Sequence, residues 1–342
     1  MSVEIPAGAM RFNSDSQKLE YWNGSAWFQV HTATPNLASA GDRQPGARGI
    51  WGGGSQPSPM PSVNTVEYVN ISSTGDVVNF GDLTVERNWL ASMASSTRGV
   101  WAAGASPGST NTIDFVSIPT TGDATDFGDA GGNYIQVGGL SNQTRGIFNG
   151  GYNNVLEYIT IASTGNSVNY GDLINSDNRY PNQFASPTRG VIKGGGFNPI
   201  NSTVEFVTIA SLGNSQVFGD LQGGTRTELG SGLSNSVRGL IAGGQLGTAS
   251  PLTVTSAIDY LTIATTGNSQ TFGDLSAAKF QMFGNGCASP TRGLFAGGGN
   301  PGPKINTIEY VNIMTLGDTV DFGDLSQPRT SGAGLSNAHG GL

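Results

Sequence analysis

A twelve-residue phrase occurs twice in this chain almost unchanged: ASPTRGVIKGGG over 185–196 and ASPTRGLFAGGG over 288–299. Looser copies end at Gly54, Gly104, Gly151 and Gly244, so an Arg-Gly step falls at Arg48, Arg98, Arg145, Arg189, Arg238 and Arg292. The intervals are 50, 47, 44, 49 and 54 residues. Self-similarity at this period marks an architecture of stacked units, none able to bury its apolar face alone.

Each unit carries the same signals in the same order. Arg-Gly is followed by a short apolar run and Gly-Gly, a strand that ends where the backbone must turn tightly. After a variable loop comes an alternating strand: TVEYVNI, TIDFVSI, VLEYITI, TVEFVTI, AIDYLTI or TIEYVNI. Every copy holds an acid followed by an aromatic: Glu67-Tyr68, Asp114-Phe115, Glu157-Tyr158, Glu205-Phe206, Asp259-Tyr260 and Glu309-Tyr310. A Gly-Asp or Gly-Asn turn then leads into a closing strand that ends in FGDL or a close variant. Between its Asp and the next Arg-Gly lies a short stretch of Gly, Ala and Ser, such as LASMAS, QVGGLS or FGNGCAS. Small side chains suit the strand nearest a crowded axis. The unit reads as a four-stranded antiparallel sheet, and six units read as a six-bladed β-propeller.

Composition agrees with an all-β chain. Gly numbers 53 in 342 residues and charged residues make up 12%. A net charge of -8 argues against nucleic acid as a partner, because phosphate binding needs a basic patch. There is no run of 18 apolar residues to span a membrane, and the start of the sequence lacks the pattern of a secretory signal. One cysteine, Cys287, excludes an intrachain disulfide and a Cys-based zinc site; His31 and His339 are the only histidines.

The order of these motifs over residues 37–342 resembles the kelch repeat. The Gly-Gly, the acid-aromatic strand and a basic residue after the closing strand all match. That basic residue is Arg87, Arg179, Arg226, Lys279 or Arg329; the second unit has none, and Phe or Tyr of FGD or YGD replaces the usual Trp. The resemblance implies an all-β, six-bladed kelch-like β-propeller. It leaves function open, because the fold hosts enzymes, scaffolds and adhesins.

Two segments compete to complete the first unit. SGAGLSNAHGGL, Ser331 to Leu342, copies GSGLSNSVRGL of 230–240; NLASAGD near Leu37 is the alternative. The closeness of the copy favours the former, which leaves no open sheet edge.

Residues 1–36 stand outside the repeat. AMRFNSDSQKLEYWNGSAWFQV reads as three short strands, with turns at Asn13-Ser14-Asp15 and Asn23-Gly24. Tyr21, Trp22, Trp27 and Phe28 are dense for a segment too short to form its own core, so it is expected to anchor on a partner or on a second copy in a homo-oligomer; the alternative is a hairpin folded against its own propeller. The segment resembles a module near the N-terminus of bacteriophage tail-fibre and other virion surface proteins, carried here by Gly8, Arg11, Phe12, Asn13, Leu19, Glu20, Tyr21, Asn23, Gly24 and Trp27. That resemblance implies synthesis in a host cytoplasm, a place on the virion surface, and partners among other virion proteins or a host-surface glycan or protein.

An active site is not legible. A copper site like that of galactose oxidase needs histidines that this chain does not group, and sialidase-type Asp boxes are absent. An acid in every unit anchors structure, whereas catalysis needs a few residues at one asymmetric spot. The expectation is therefore a non-enzymatic virion protein without cofactor or metal. Alternatives are a carbohydrate-active propeller enzyme and an intracellular kelch-type scaffold. Antiparallel topology puts loops two-to-three and four-to-one on one face. These loops vary in length and carry Arg87, Arg179, Arg226, Lys279 and Arg329, so this face is expected to contact a partner. Each of these cations is also within reach of the FGD Asp before it, as in Asp82 with Arg87 or Asp324 with Arg329.

Overall fold

The computed structural model describes residues 6, 8–13, 18–29, 47–57, 59, 61–176, 179–195, 202–222, 229–246, 253–299 and 303–342. The chain divides into two compact units, Met1–Pro45 and Gly46–Leu342. All regular structure among the described residues is β. No helix there is long and apolar enough to cross a membrane. The expected boundary after residue 36, His31 and the candidate strand near Leu37 lie outside the described residues.

The first unit holds a three-stranded antiparallel sheet: Met10–Asn13, Lys18–Trp22 and Trp27–Gln29. Asn23 makes its second turn, accepting the N–H groups of Ser25 and Ala26 at 2.8 Å each, beside Gly24 at φ 103°. Tyr21 lies opposite both Met10 and Phe28, and Trp22 opposite Trp27. Alternation along a strand therefore splits the four aromatics between two faces. Tyr21 and Phe28 share a face with Met10 and Phe12, and all four side chains are exposed. Trp22 and Trp27 lie on the other face. There the Arg11 guanidinium sits 4.2 Å from the Trp27 ring centroid and pairs with buried Glu20 at 2.9 Å.

The second unit contains six antiparallel sheets with four strands in sequence. Sheet 1 comprises Ala333–Ser336, Arg48–Gly52, Thr65–Asn70 and Val78–Asp82. Its first strand thus comes from far along the chain, with Leu335 opposite Ile50. Sheets 2 to 6 each start with their own inner strand: Ala91–Ala94, Gly139–Ser141, Arg179–Ala185, Ser231–Ser234 and Cys287–Ala288. A two-stranded ribbon, Gln245–Leu246 with Thr253–Val254, interrupts sheet 5.

There is no single core. Apolar clusters lie between successive sheets: Ile50 and Phe80 of sheet 1 meet Trp101 and Val116 of sheet 2. The last cluster joins Leu294 and Phe322 of sheet 6 to Trp51 and Val69 of sheet 1. Each sheet is covered on both faces, which is why the second strands are buried almost end to end.

The repeated Arg-Gly phrase is the wiring between sheets. Each arginine lies 4.2–4.8 Å from the centroid of the aromatic ring in its own third strand, from Arg48 on Tyr68 to Arg292 on Tyr310. Each also donates to an isoleucine carbonyl of the following sheet: Arg48 to Ile118 (2.8 Å), Arg98 to Ile161 (3.0 Å), and so on to Arg292, which bonds Ile71 of sheet 1 (3.2 Å). The glycine leaves room for one inner-strand side chain of the preceding sheet. A Cβ on Gly49 would stand 2.8 Å from Cys287 Cβ, and Gly99 faces Leu335 in the same way. Cys287 is thus a buried packing residue.

The FGD motif is wired too. The N–H of its Asp donates to the turn Asp or Asn of the next sheet: Asp82 to Asp123 (3.0 Å), Asp129 to Asn166 (3.0 Å), and finally Asp324 back to Asp76 (3.0 Å). Gly81 is glycine because the Gly122 carbonyl of that incoming turn occupies the place of a Cβ.

A candidate binding depression

The basic residues expected on a partner-facing surface are mostly inside the protein. Arg87, Lys279 and Arg329 are buried, and each pairs with the strand acid of the following sheet: Asp114 (2.6 Å), Glu309 and Glu67 respectively. These three cations do not present a binding face. They do not pair with the preceding FGD Asp either, because Asp82 and Asp324 point outward and engage the next turn through their N–H groups. Burying a charge is costly unless it is paired, and for these three cations the strand acid is the partner. Arg179 is half-buried with its guanidinium 4.9 Å from the Tyr152 ring centroid. Arg226 lies outside the described residues.

All six strand acids are buried. Where no cation comes, neutral donors do. Glu157 accepts from Gly131 N (2.9 Å) and Tyr134 Oη (2.7 Å), and Glu205 from Ile174 N (2.9 Å) and Asn175 N (3.1 Å). Burial, then the Glu157 carboxylate, pushes the Tyr134 hydroxyl pKa up, so it stays a donor. Burial alone would raise Glu309, but the Lys279 ammonium and bonds from Ser276 and Thr319 hold it below its ordinary range. Burial lowers Arg87 and Arg329 despite their partners. Among the described residues, no three His, Cys, Asp or Glu side chains gather as a metal site.

The asymmetric spot lies elsewhere, where the four-to-one connections meet the inner strands. Six residues at or just before the start of those strands have left-handed backbones: Trp89 (φ 52°), Gln136 (62°), Tyr180 (48°), Leu229 (71°), Gln281 (52°) and Ser331 (61°). This conformation costs a non-glycine residue about 1 kcal/mol. It is held by backbone bonds from sheet to sheet: Ser331 N to Gln281 O (3.0 Å), Trp89 N to Ser331 O (2.7 Å), Gln136 N to Trp89 O (3.1 Å) and Tyr180 N to Gln136 O (2.9 Å). Inside this collar is a depression of about 30 Å³, walled by Trp89, Tyr180, Val137, Leu229 and Met282, with Gln136 among them. Trp89 and Tyr180 meet edge to face, centroids 5.9 Å apart. Gln136 is 6% exposed, and neither its Oε1 nor the Trp89 Nε1 has a hydrogen-bond partner among the described residues.

Further along the inner strands the passage is crossed. Asn285 Nδ2, just before the inner strand of sheet 6, donates to Gly139 O of sheet 3 (2.6 Å) and Ser92 O of sheet 2 (3.3 Å). At the far end, residues 337–342 lie over the inner strands. His339 Nε2 faces Ala94 O at 3.0 Å, its Nδ1 accepts from Gly341 N at 3.1 Å, and Gly340 N donates to Ser234 O at 2.8 Å. These partners fix the neutral tautomer with its proton on Nε2. Burial, partly offset by the Ala94 carbonyl, lowers His339 to about 4.

The collar residues escape a reading of the repeat because they have no shared residue type. The available signal was the opposite of a motif: Trp, Gln, Tyr, Leu, Gln and Ser at one fixed place before a strand of small residues. Compared with known proteins, the sequence matches no family model and no curated protein.

Proposed function

We propose that the six sheets close into a kelch-like six-bladed β-propeller that works as a non-enzymatic binding protein on a phage virion. The cyclic order of the inter-sheet bonds supports the ring: the same arginine, glycine and FGD links run from each sheet to the next and from sheet 6 to sheet 1. The observation that carries the binding reading is the contrast in how polar groups are used. The cations Arg87 and Arg329 are paired with acids inside the fold, whereas the collar is uncharged, varied in sequence and open as a depression with polar atoms beside apolar walls. A rigid frame with one divergent concave spot is the usual form of a recognition site.

The N-terminal unit is the attachment module in this reading. Its exposed face of Met10, Phe12, Tyr21 and Phe28 suits burial against another virion protein. Mass spectrometry and cryo-EM of purified particles test the assignment. The chain is expected at stoichiometric level on the tail or capsid surface; its absence from particles overturns the virion reading.

A further inference from the structure

We propose that the collar depression binds the acetamido group of an N-acetylated amino sugar. This rests on the reading of the six-sheet unit as a binding protein and names the ligand class of that site.

The chemistry of the lining selects the group. Gln136 offers a carbonyl oxygen and Trp89 an indole N–H, an acceptor and a donor without partners. Leaving such groups buried without a hydrogen bond is costly, and a matching ligand recovers that cost. An acetamide is the complement: its N–H serves the acceptor, its C=O serves the donor, and its methyl faces Val137, Leu229 and Met282. Size agrees. The space of about 30 Å³ exceeds the roughly 10–15 Å³ that one water needs and admits a few heavy atoms, not a whole pyranose. The sugar ring would remain at the opening, where the half-buried rings of Trp89 and Tyr180 offer apolar faces to its C–H groups.

Charge narrows the class further. Apart from the phenol of Tyr180 the lining has no ionisable side chain, so a neutral N-acetylhexosamine fits and an acidic sugar gains no ion pair. Both free polar atoms are shut off from bulk water. Entry therefore requires both the Gln136 carboxamide and the Trp89 ring to shift toward the opening as the ligand arrives.

The test uses the purified full chain, so it is independent of whether the protein is found in virions. Binding of N,N′-diacetylchitobiose is measured by calorimetry and by ligand-observed NMR, beside its deacetylated dimer, cellobiose and an amide-blocked acetyl-lysine. Saturable binding of the diacetylated sugar alone is expected, with Kd near or below about 1 mM. Gln136→Leu should weaken it at least about tenfold, and Trp89→Phe, which keeps a ring but loses the N–H, should weaken it severalfold. Leu229→Trp, which fills the depression from a different wall, should abolish it and stands in if Gln136→Leu fails to fold. Equal binding of cellobiose or of the deacetylated dimer overturns the proposal. So does equal binding of acetyl-lysine, unchanged affinity in a folded Gln136→Leu protein, or no binding of the diacetylated sugar at about 10 mM.

Discussion

Arg329 and Glu67, 262 positions apart in the chain, form an ion pair with both side chains almost fully removed from solvent. The pair joins the segment after sheet 6 to the third strand of sheet 1. Removing one member strands the other, so Arg329→Met should cost about 3–5 kcal/mol in urea denaturation. The double change Arg329→Met with Glu67→Leu should recover much of that loss, because two apolar groups need no partner. A double variant as unstable as the single one would show that the geometry of the segment, not the unpaired charge, sets the cost.

Deleting residues 331–342 removes the inner strand of sheet 1, the Leu335 side chain that packs on Gly99, and the His339 cap. The second strand of sheet 1 then becomes an edge. Loss of a single cooperative transition is expected in thermal denaturation followed by circular dichroism. A truncated chain that melts cooperatively near the full-length midpoint would contradict the proposed closure.

Two glycines separate close approach from backbone preference. Gly81 (φ 154°) faces the Gly122 carbonyl of the next sheet, whereas Gly122 itself (φ 151°) has nothing within 4 Å of a Cβ. Gly122→Ala should cost only about 1 kcal/mol for its backbone conformation. Gly81→Ala adds a collision with backbone that cannot yield cheaply, for a total above about 2 kcal/mol. Equal costs in denaturant titrations would remove the inter-sheet contact as the reason for the FGD glycine.

His339 should make stability depend on pH. Its folded pKa, about 4, is below its ordinary value, so the unfolded chain binds more protons between about pH 4 and 6.5 and stability falls as pH is lowered through that window. A proton on Nδ1 would also confront the Gly341 N–H. The side chain is not fully buried, so the loss is about 1–2 kcal/mol. His339→Gln should flatten the stability curve over this range. Glu309, also held below its ordinary range, contributes stability above about pH 4.3 that is lost only in more acid solution.

The N-terminal sheet separates attachment from local packing. Phe12→Ser with Tyr21→Ser alters only the exposed face and should release the protein from particles while the sheet still forms. Trp22→Ser with Trp27→Ser strikes the face where Arg11 and Glu20 pack, and should loosen the unit itself. Co-purification with virions and NMR dispersion of the isolated chain distinguish the two. Full incorporation of the Phe12 and Tyr21 variant would reject that face as the contact.

What the sequence makes legible follows from periodicity. The four strands of each unit, their turns and the small inner strands are local patterns, and local patterns survive translation into structure. The partner of Arg87 was not legible. Its nearest acid in sequence is Glu86 and the nearest in the repeat logic is Asp82, yet it pairs with Asp114, which the next sheet delivers. Sequence spacing measures reach along a strand and says nothing about reach between sheets. The collar failed to show for a further reason. Its backbone is fixed by bonds between main-chain atoms, such as Trp89 N to Ser331 O, which leave residue type free to vary.

The pairing of Ala333–Ser336 with Arg48–Gly52 also sets a timetable. On the ribosome, sheet 1 must wait for about 250 further residues after its fourth strand, or roughly 12–50 s at ordinary elongation rates. Through that interval the apolar strand Arg48–Gly52 has an open hydrogen-bonding edge, the kind of surface that chaperones shield and proteases find. A transcript broken anywhere before residue 333 yields a chain that can never cover it. The architecture therefore inspects its own synthesis, and incomplete copies are marked by the edge they expose.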